Sequence, residues 1–398
     1  MNEFLSNRLA LLAESETIAM SQRSRELQGK GIDIINLSVG EPDFPTPKHI
    51  KEAGKKAIDD DFTHYPPVPG IPELREAIVQ KLKRDNNLDY QTSQIVVSTG
   101  GKQALANAIY ALVDPGDEVL IPAPYWVSYP AMVQLAGGLS VFIHANIEQD
   151  FKITPEQLEK AITPKTKALL LNSPCNPTGS VYTEDELKSL ARILVKHPRI
   201  FVISDEIYEY INYENKHCTM ASFDEMHDRV VIVNGVSKGY AMTGWRLGYI
   251  AAPQWIASAC SRLQGQYTSG TSTISQKAAL AAISGPLDET FKMVEAFRRR
   301  RDLVIEMARN IPELKINIPT GAFYLFPNIS AFIGRSYKGK TILNSRDLSF
   351  YLLEEGHVAT VSGTAFGSDN CIRFSYASDD QSLVKAMSRI KDSLSALK

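Results

Sequence analysis

The chain has 398 residues, 44% of them hydrophobic, which is enough to bury a sizeable core and to form two domains. Its formal net charge of −2 comes from interspersed acidic and basic residues. With no basic stripe, nucleic acid is an unexpected partner and a small-molecule substrate the expected one. The four cysteines (Cys175, Cys218, Cys260, Cys371) form no CxxC pair and the seven histidines are scattered, so neither a metal site nor a disulfide framework is expected. Glu3, Arg8 and Glu14 interrupt the N-terminal apolar positions, and no apolar run reaches the ~18 residues of a membrane span. The expectation is a cytoplasmic protein with reduced thiols and no membrane association.

Taken in order, Leu5, Leu9 and Leu12 share a helical face, and a second helix follows Glu14-Ser15-Glu16-Thr17. Ile34–Leu37 reads as a short strand ending in Ser38-Val39-Gly40-Glu41-Pro42-Asp43. Prolines 42, 45 and 47 exclude helix there. Pro47–Asp60 is helical in pattern, and His64-Tyr65-Pro66-Pro67 is a rigid exposed loop in which Tyr65 either packs on its prolines or reaches outward. Apolar runs then alternate with helical patterns, the signature of βαβ units and a mostly parallel sheet. Ile95–Val97 leads to Thr99-Gly100-Gly101-Lys102, and Glu118–Ile121 to Pro124-Tyr125-Trp126. Ala168–Leu171 leads to Asn172-Ser173-Pro174-Cys175-Asn176, Ile200–Ile203 to Asp205-Glu206-Ile207-Tyr208, and Val230–Val233 to the turn with Lys238. Open α/β sheets place ligands at the carboxyl ends of their strands, so these loops are expected to converge on one site. After Gly248 come a strand and two helices. A long helix from about Leu287 to Asn310 links to short strands (Ala322–Phe326, Val358–Val361, Cys371–Tyr376) mixed with helices, a smaller α+β unit.

Gly334–Thr341 fits the P-loop pattern GxxxxGK[ST], but Pro327 and Asn328 interrupt the preceding run and no helix starts within it, so a solvated loop is expected. The dinucleotide pattern GxGxxG is absent. Gly100-Gly101 at a helix start suits an anion such as phosphate, which Arg246 could hold in a bidentate grip; an ordinary turn and a surface ion pair remain open for each. Asp205, beyond a buried strand, is either a helix cap or the partner of a cation, because an unpaired buried charge is very costly. A lysine, an acid and a phosphate cradle on one rim suit pyridoxal phosphate (PLP).

These residues carry a resemblance. Gly235-Val-Ser-Lys238-Gly-Tyr-Ala-Met-Thr-Gly-Trp-Arg246-Leu-Gly248, with the Asn172–Gly179 and Ser204–Tyr208 segments in order, resembles the class I aminotransferases of PLP fold type I over essentially the whole chain. The branch containing bacterial aspartate aminotransferases, with an N-terminal motif like Ser38–Phe44, is the most similar. The resemblance implies a large domain (47–289) with a mostly parallel seven-stranded sheet between helices, a small α+β domain (17–46 and 290–398) and an N-terminal arm (1–16). It implies that Lys238 forms the covalent Schiff-base link and moves the proton, and that Asp205 pairs with the ring nitrogen. Tyr208 and Asn176 would bond the ring's 3-oxygen, Trp126 would stack on the ring, and Gly100, Gly101, Lys102 and Arg246 would surround the phosphate. Tyr65 would reach the cofactor of a neighbouring subunit in a homodimer. Arg373 would hold the substrate α-carboxylate with Asn176 and the Gly40 backbone, while Lys102, Ser15 and Thr17 would meet an acidic side chain. The implied reaction moves an amino group from L-aspartate to 2-oxoglutarate; an aromatic, kynurenine or prephenate aminotransferase, or a PLP β-lyase, is the alternative on the same fold. Two positions depart from the pattern: Gly235 stands where serine is frequent, and Tyr129 where some members have histidine behind the acid.

Overall fold

A computed structural model describes residues 16–213 and 217–398. The predicted N-terminal helix around Leu5–Leu12, and Ser15, lie outside the described residues. Glu16–Gly29 is the second expected helix, and β1 (Ile35–Asn36) follows it.

The centre is a seven-stranded sheet of β2 (Ile95–Ser98), β3 (Glu118–Ala123), β4 (Leu139–His144), β5 (Thr166–Asn172), β6 (Phe201–Asp205), β7 (Val230–Gly235) and β8 (Gly248–Ala251). Its order is β2-β8-β7-β6-β5-β3-β4, with β8 antiparallel to both neighbours and the other strands mutually parallel. Every residue of β7 is buried, because apolar clusters cover both sheet faces; hence the unbroken Val230–Val233 run in place of alternation. The reversed β8 matters for the site. Its first residue, Gly248, pairs with the last residue of β7, Gly235, so the preceding Arg246 lies on the rim where the parallel strands end. Sequence periodicity missed β4, an edge strand (Leu139-Ser-Val-Phe-Ile-His144) that buries only Ile143 and so carries a weak pattern.

A second core forms around β9 (Tyr324–Leu325), the hairpin β10 (Ser336–Tyr337) and β11 (Lys340–Thr341), then β12 (Val358–Ala359), β13 (Val361–Ser362) and β14 (Ile372–Ser375). The P-loop look-alike is that hairpin, and the next helix begins only at Ser345. The expected single strand Val358–Val361 splits at Thr360: β12 pairs with β1 in parallel, while β13 pairs with β14. The early chain thereby joins the later core. The helix Asp288–Arg309 runs between the two regions and buries Phe297, Arg300 and Arg301. Among the described residues no helix is long and apolar enough to cross a membrane.

Candidate active site

The loops leaving β2, β3, β5, β6 and β7 line one cavity of about 380 Å³, together with Gly40, Tyr324 and Arg373 from the second core region. Gly101, Lys102, Trp126, Asn176, Asp205, Tyr208, Lys238 and Arg246 all face it. Residues more than three hundred positions apart meet here because the parallel strands end at this rim and the second core region brings Gly40, Tyr324 and Arg373 against it.

Gly100 has φ +86° and precedes the helix Gly101–Leu112, whose first turn has no side-chain cap, leaving its N–H groups for an anion. A Cβ at Gly100 would come within 2.5 Å of Arg246 Nη2, so glycine is what lets the guanidinium close over that helix end. Arg246 Nη1 also donates to Thr243 O at 2.8 Å. Gly235 has a packing reason: a Cβ would lie 2.8 Å from Gly248 Cα and Leu247 O in the adjacent strand. Ser237 lines the cavity.

Asp205 is buried. Tyr129 Oη donates to its Oδ2 at 2.6 Å and the Ile207 N–H to its Oδ1 at 3.3 Å. Burial dominates and pushes this carboxyl up to about 6, against the lowering effect of those donors. The Lys238 amine faces the cavity and donates to Gly40 O at 2.5 Å. Burial, reinforced by Arg373 and Arg246, pushes it down to about 8, despite the opposing charge of Glu41. Tyr208 Oη lies 2.7 Å from Tyr324 Oη, and burial holds the Tyr208 phenol well above its usual range.

Arg373 is 3% exposed. Its Nη1 donates to Asn176 Oδ1 at 3.0 Å and its Nη2 to Ser38 O at 2.6 Å, and its buried Nε has no partner. A buried cation with an unused donor calls for an acceptor such as a carboxylate. Lys102 Nζ lies 4.9 Å from the centroid of the Trp126 ring, and burial and nearby Arg246 lower its pKa. Tyr65 is 95% exposed, away from the cavity of its own chain. Thr17 lies in the helix Glu16–Gly29, with its side chain outside the described residues, as Ser15 is altogether.

Over residues 32–390 the chain matches the family model of aminotransferase class I and II. The chain belongs to that aminotransferase family. It is 48% identical to an aspartate/prephenate aminotransferase of Cereibacter sphaeroides over 98% of both chains. Against a bifunctional aspartate aminotransferase and glutamate/aspartate-prephenate aminotransferase of Petunia hybrida it is 48% identical over 99% of this chain and 83% of the relative. Its fold matches the aspartate aminotransferase of Rhizobium meliloti with TM-score 0.96 at 41% identity, covering 99% of each chain. It matches that of Thermus thermophilus, solved with maleate, at TM-score 0.91 and 40% identity over 98% of this chain and 99% of that one. It is a PLP-dependent aminotransferase of fold type I.

The residues fit that cofactor. A helix N-terminus with Arg246 suits its phosphate, a buried carboxyl at Asp205 suits a cationic ring nitrogen, and a buried amine of lowered pKa suits its carbonyl. Sequence reading did not find Tyr324, which sits in an apolar run indistinguishable from core. Nor did it assign Asn172, whose side chain donates to Asp205 O at 2.9 Å and accepts from Asn176 N at 2.8 Å. The Tyr129 contact with Asp205 was legible only as a departure from the family pattern.

Proposed function

We propose that this aminotransferase takes its amino group from L-aspartate and gives it to 2-oxoglutarate, reversibly yielding oxaloacetate and L-glutamate. The observation that carries the reading is the Lys102 amine, which faces the cavity beside Trp126 at the mouth of the anion cradle. An ammonium in that place rewards a second carboxylate and disfavours apolar side chains. The maleate bound to the Thermus thermophilus relative is likewise a dicarboxylate.

PLP, when bound, supplies an electron sink for the substrate's α-carbon. Everything else falls to the chain. Arg373 grips the α-carboxylate, with Asn176 and Gly40 beside it, and so orients the Cα–H bond. Lys238 would anchor PLP and is placed to move a proton at the substrate's Cα, and its amine, which burial pushes down to about 8 in the cofactor-free fold, is suited to that exchange. Asp205, steadied by Tyr129, keeps the ring nitrogen positive. Tyr208 and the Asn176 amide would hold the ring's 3-oxygen, and Trp126 would pack on the ring. Gly100, Gly101, Lys102 and Arg246 would hold the phosphate end.

Lys102→Ala is expected to lower kcat/KM for aspartate by roughly 10²-fold and that for alanine or phenylalanine by under about threefold. Equal losses with all three donors would sink the aspartate reading. A second reading adds prephenate as an acceptor, favoured by the likeness to the Cereibacter sphaeroides relative, an aspartate/prephenate aminotransferase. Prephenate is itself a 2-oxo acid with a second carboxylate, so Arg373 and Lys102 serve it equally well.

Tyr65, projecting from a proline-stiffened loop, reaches the phosphate of a neighbouring subunit in a homodimer. Mixing inactive Tyr65→Ala and Lys238→Ala chains is expected to restore up to about a quarter of wild-type activity through hybrid dimers with one intact site. No recovery after verified exchange would mean self-contained protomers.

A further inference from the structure

The turn 38–43 touches the two groups that matter most to substrate. Its Ser38 carbonyl accepts from Arg373 Nη2 and its Gly40 carbonyl from Lys238 Nζ. Yet it has little rigidity of its own. Among the described residues no backbone N–H of residues 39–45 donates to a backbone carbonyl, and Pro42 and Pro45 have none to give. Side chains must hold the turn in place. Asp43, at its far end, receives Arg300 in a two-pronged grip: Nη1 to Oδ1 at 2.7 Å and Nη2 to Oδ2 at 2.9 Å. Arg300 is 7% exposed, its guanidinium carbon lies 5.0 Å from the Phe44 ring centre, and Asp380 Oδ1 is 3.5 Å from its Nε.

Arg300 belongs to the helix Asp288–Arg309, and an earlier residue of that helix, Thr290, donates to Gly239 O at 2.8 Å. Gly239 follows Lys238. One helix therefore fixes both sides of the Lys238–Gly40 hydrogen bond, at Gly239 through Thr290 and at Asp43 through Arg300.

We propose that Asp43 and Arg300 are a positioning pair for substrate binding: their ion pair fixes the Ser38 and Gly40 carbonyls and thereby orients Arg373 for the carboxylate. Neither side chain touches substrate. The proposal rests on the assignment of Arg373 to the substrate carboxylate. Bidentate geometry is the point, since a single-point contact would let the turn pivot.

The test uses holoenzyme variants Asp43→Asn, Arg300→Met, Arg300→Lys and the Asp43→Asn/Arg300→Met double, with Lys292→Gln as control for an exposed ion pair on the same helix. Each is titrated with succinate, an unreactive dicarboxylate, through the cofactor's absorbance, and assayed for KM and kcat with aspartate. Displacement of the turn is expected to raise the succinate Kd and the aspartate KM about tenfold in Asp43→Asn and Arg300→Met while kcat falls less than about threefold. Arg300→Lys should fall between these and wild type, the double variant should be no worse than the singles, and Lys292→Gln should match wild type. A wild-type Kd and KM in Asp43→Asn overturns the proposal, as do additive losses in the double variant or a fall in kcat alone. Arg373→Ala separates the two readings. If it keeps a wild-type succinate Kd, the carboxylate assignment fails; if it loses succinate while Asp43→Asn does not, only the positioning pair fails.

Discussion

Lys238→Ala is expected to lower kcat by at least ~10⁴-fold, because one substitution removes both the covalent anchor and the group that moves the Cα proton. The rest of the cradle survives the change. Gly100-Gly101 with Arg246, the Asp205 carboxyl and Arg373 are held by contacts that do not involve the lysine. PLP is therefore expected to remain bound noncovalently, with the absorbance of the lysine-linked form lost and the melting temperature of the chain little altered. Spectra of the variant after dialysis against PLP check this. Persistence of the lysine-linked band would mean that another amine carries the cofactor. A small primary amine supplied in solution should restore part of the activity, since it can do the proton transfer but not the anchoring.

Asp205→Asn is expected to reduce kcat/KM by roughly 10²–10³-fold, since a neutral amide cannot keep the ring nitrogen positive as charge develops on the substrate. Its effect on stability runs the other way. In the fold this carboxyl sits at about 6, above its ordinary 3.8, because it is buried. Well below 3.8 it is protonated in folded and unfolded chain alike and the burial carries no penalty. Between 3.8 and about 6 the unfolded chain ionises this acid while the folded chain still holds its proton, so the cofactor-free protein loses stability progressively, on the order of 3 kcal/mol, and the loss is complete above about 6. Asparagine keeps an acceptor for Tyr129 and removes the charge. The cofactor-free variant should therefore melt higher than wild type at pH 8, with the gap shrinking as pH falls from about 6 towards 3.8 and closing below it, by calorimetry. A variant that melted lower at pH 8 would show that Asp205 is paired in the fold without its cofactor.

The local chemistry was legible in the sequence wherever a polar group followed directly on an apolar strand. Asp205, Asn176, Lys238 and Gly100-Gly101 each announce themselves that way, and the parallel topology brings them together as expected. Arg246 was legible as a motif residue, but the reason it reaches the rim, the reversed direction of β8, is a pairing fact that no local pattern carries. Tyr324 was hidden because a tyrosine in an apolar run reads as core, and its hydroxyl meets Tyr208 only through the packing of two distant segments. The Asp43–Arg300 pair joins residues 257 positions apart, and each alone reads as a solvated charge. The break at Thr360 was equally silent, because Val358–Val361 has strand propensity throughout and only its two different partners divide it. Sequence reading found what each loop offers; long-range pairing decided which loops share a function.

The most direct test of the account is the donor profile of the purified, PLP-loaded protein with 2-oxoglutarate: kcat/KM for aspartate, alanine, phenylalanine and kynurenine, with prephenate substituted for 2-oxoglutarate in a parallel series. Aspartate is expected to exceed the apolar donors by at least ~10²-fold, as a charged partner for the second carboxylate requires. A protein that preferred phenylalanine or kynurenine to aspartate, or released ammonia and a 2-oxo acid without an acceptor, would contradict it.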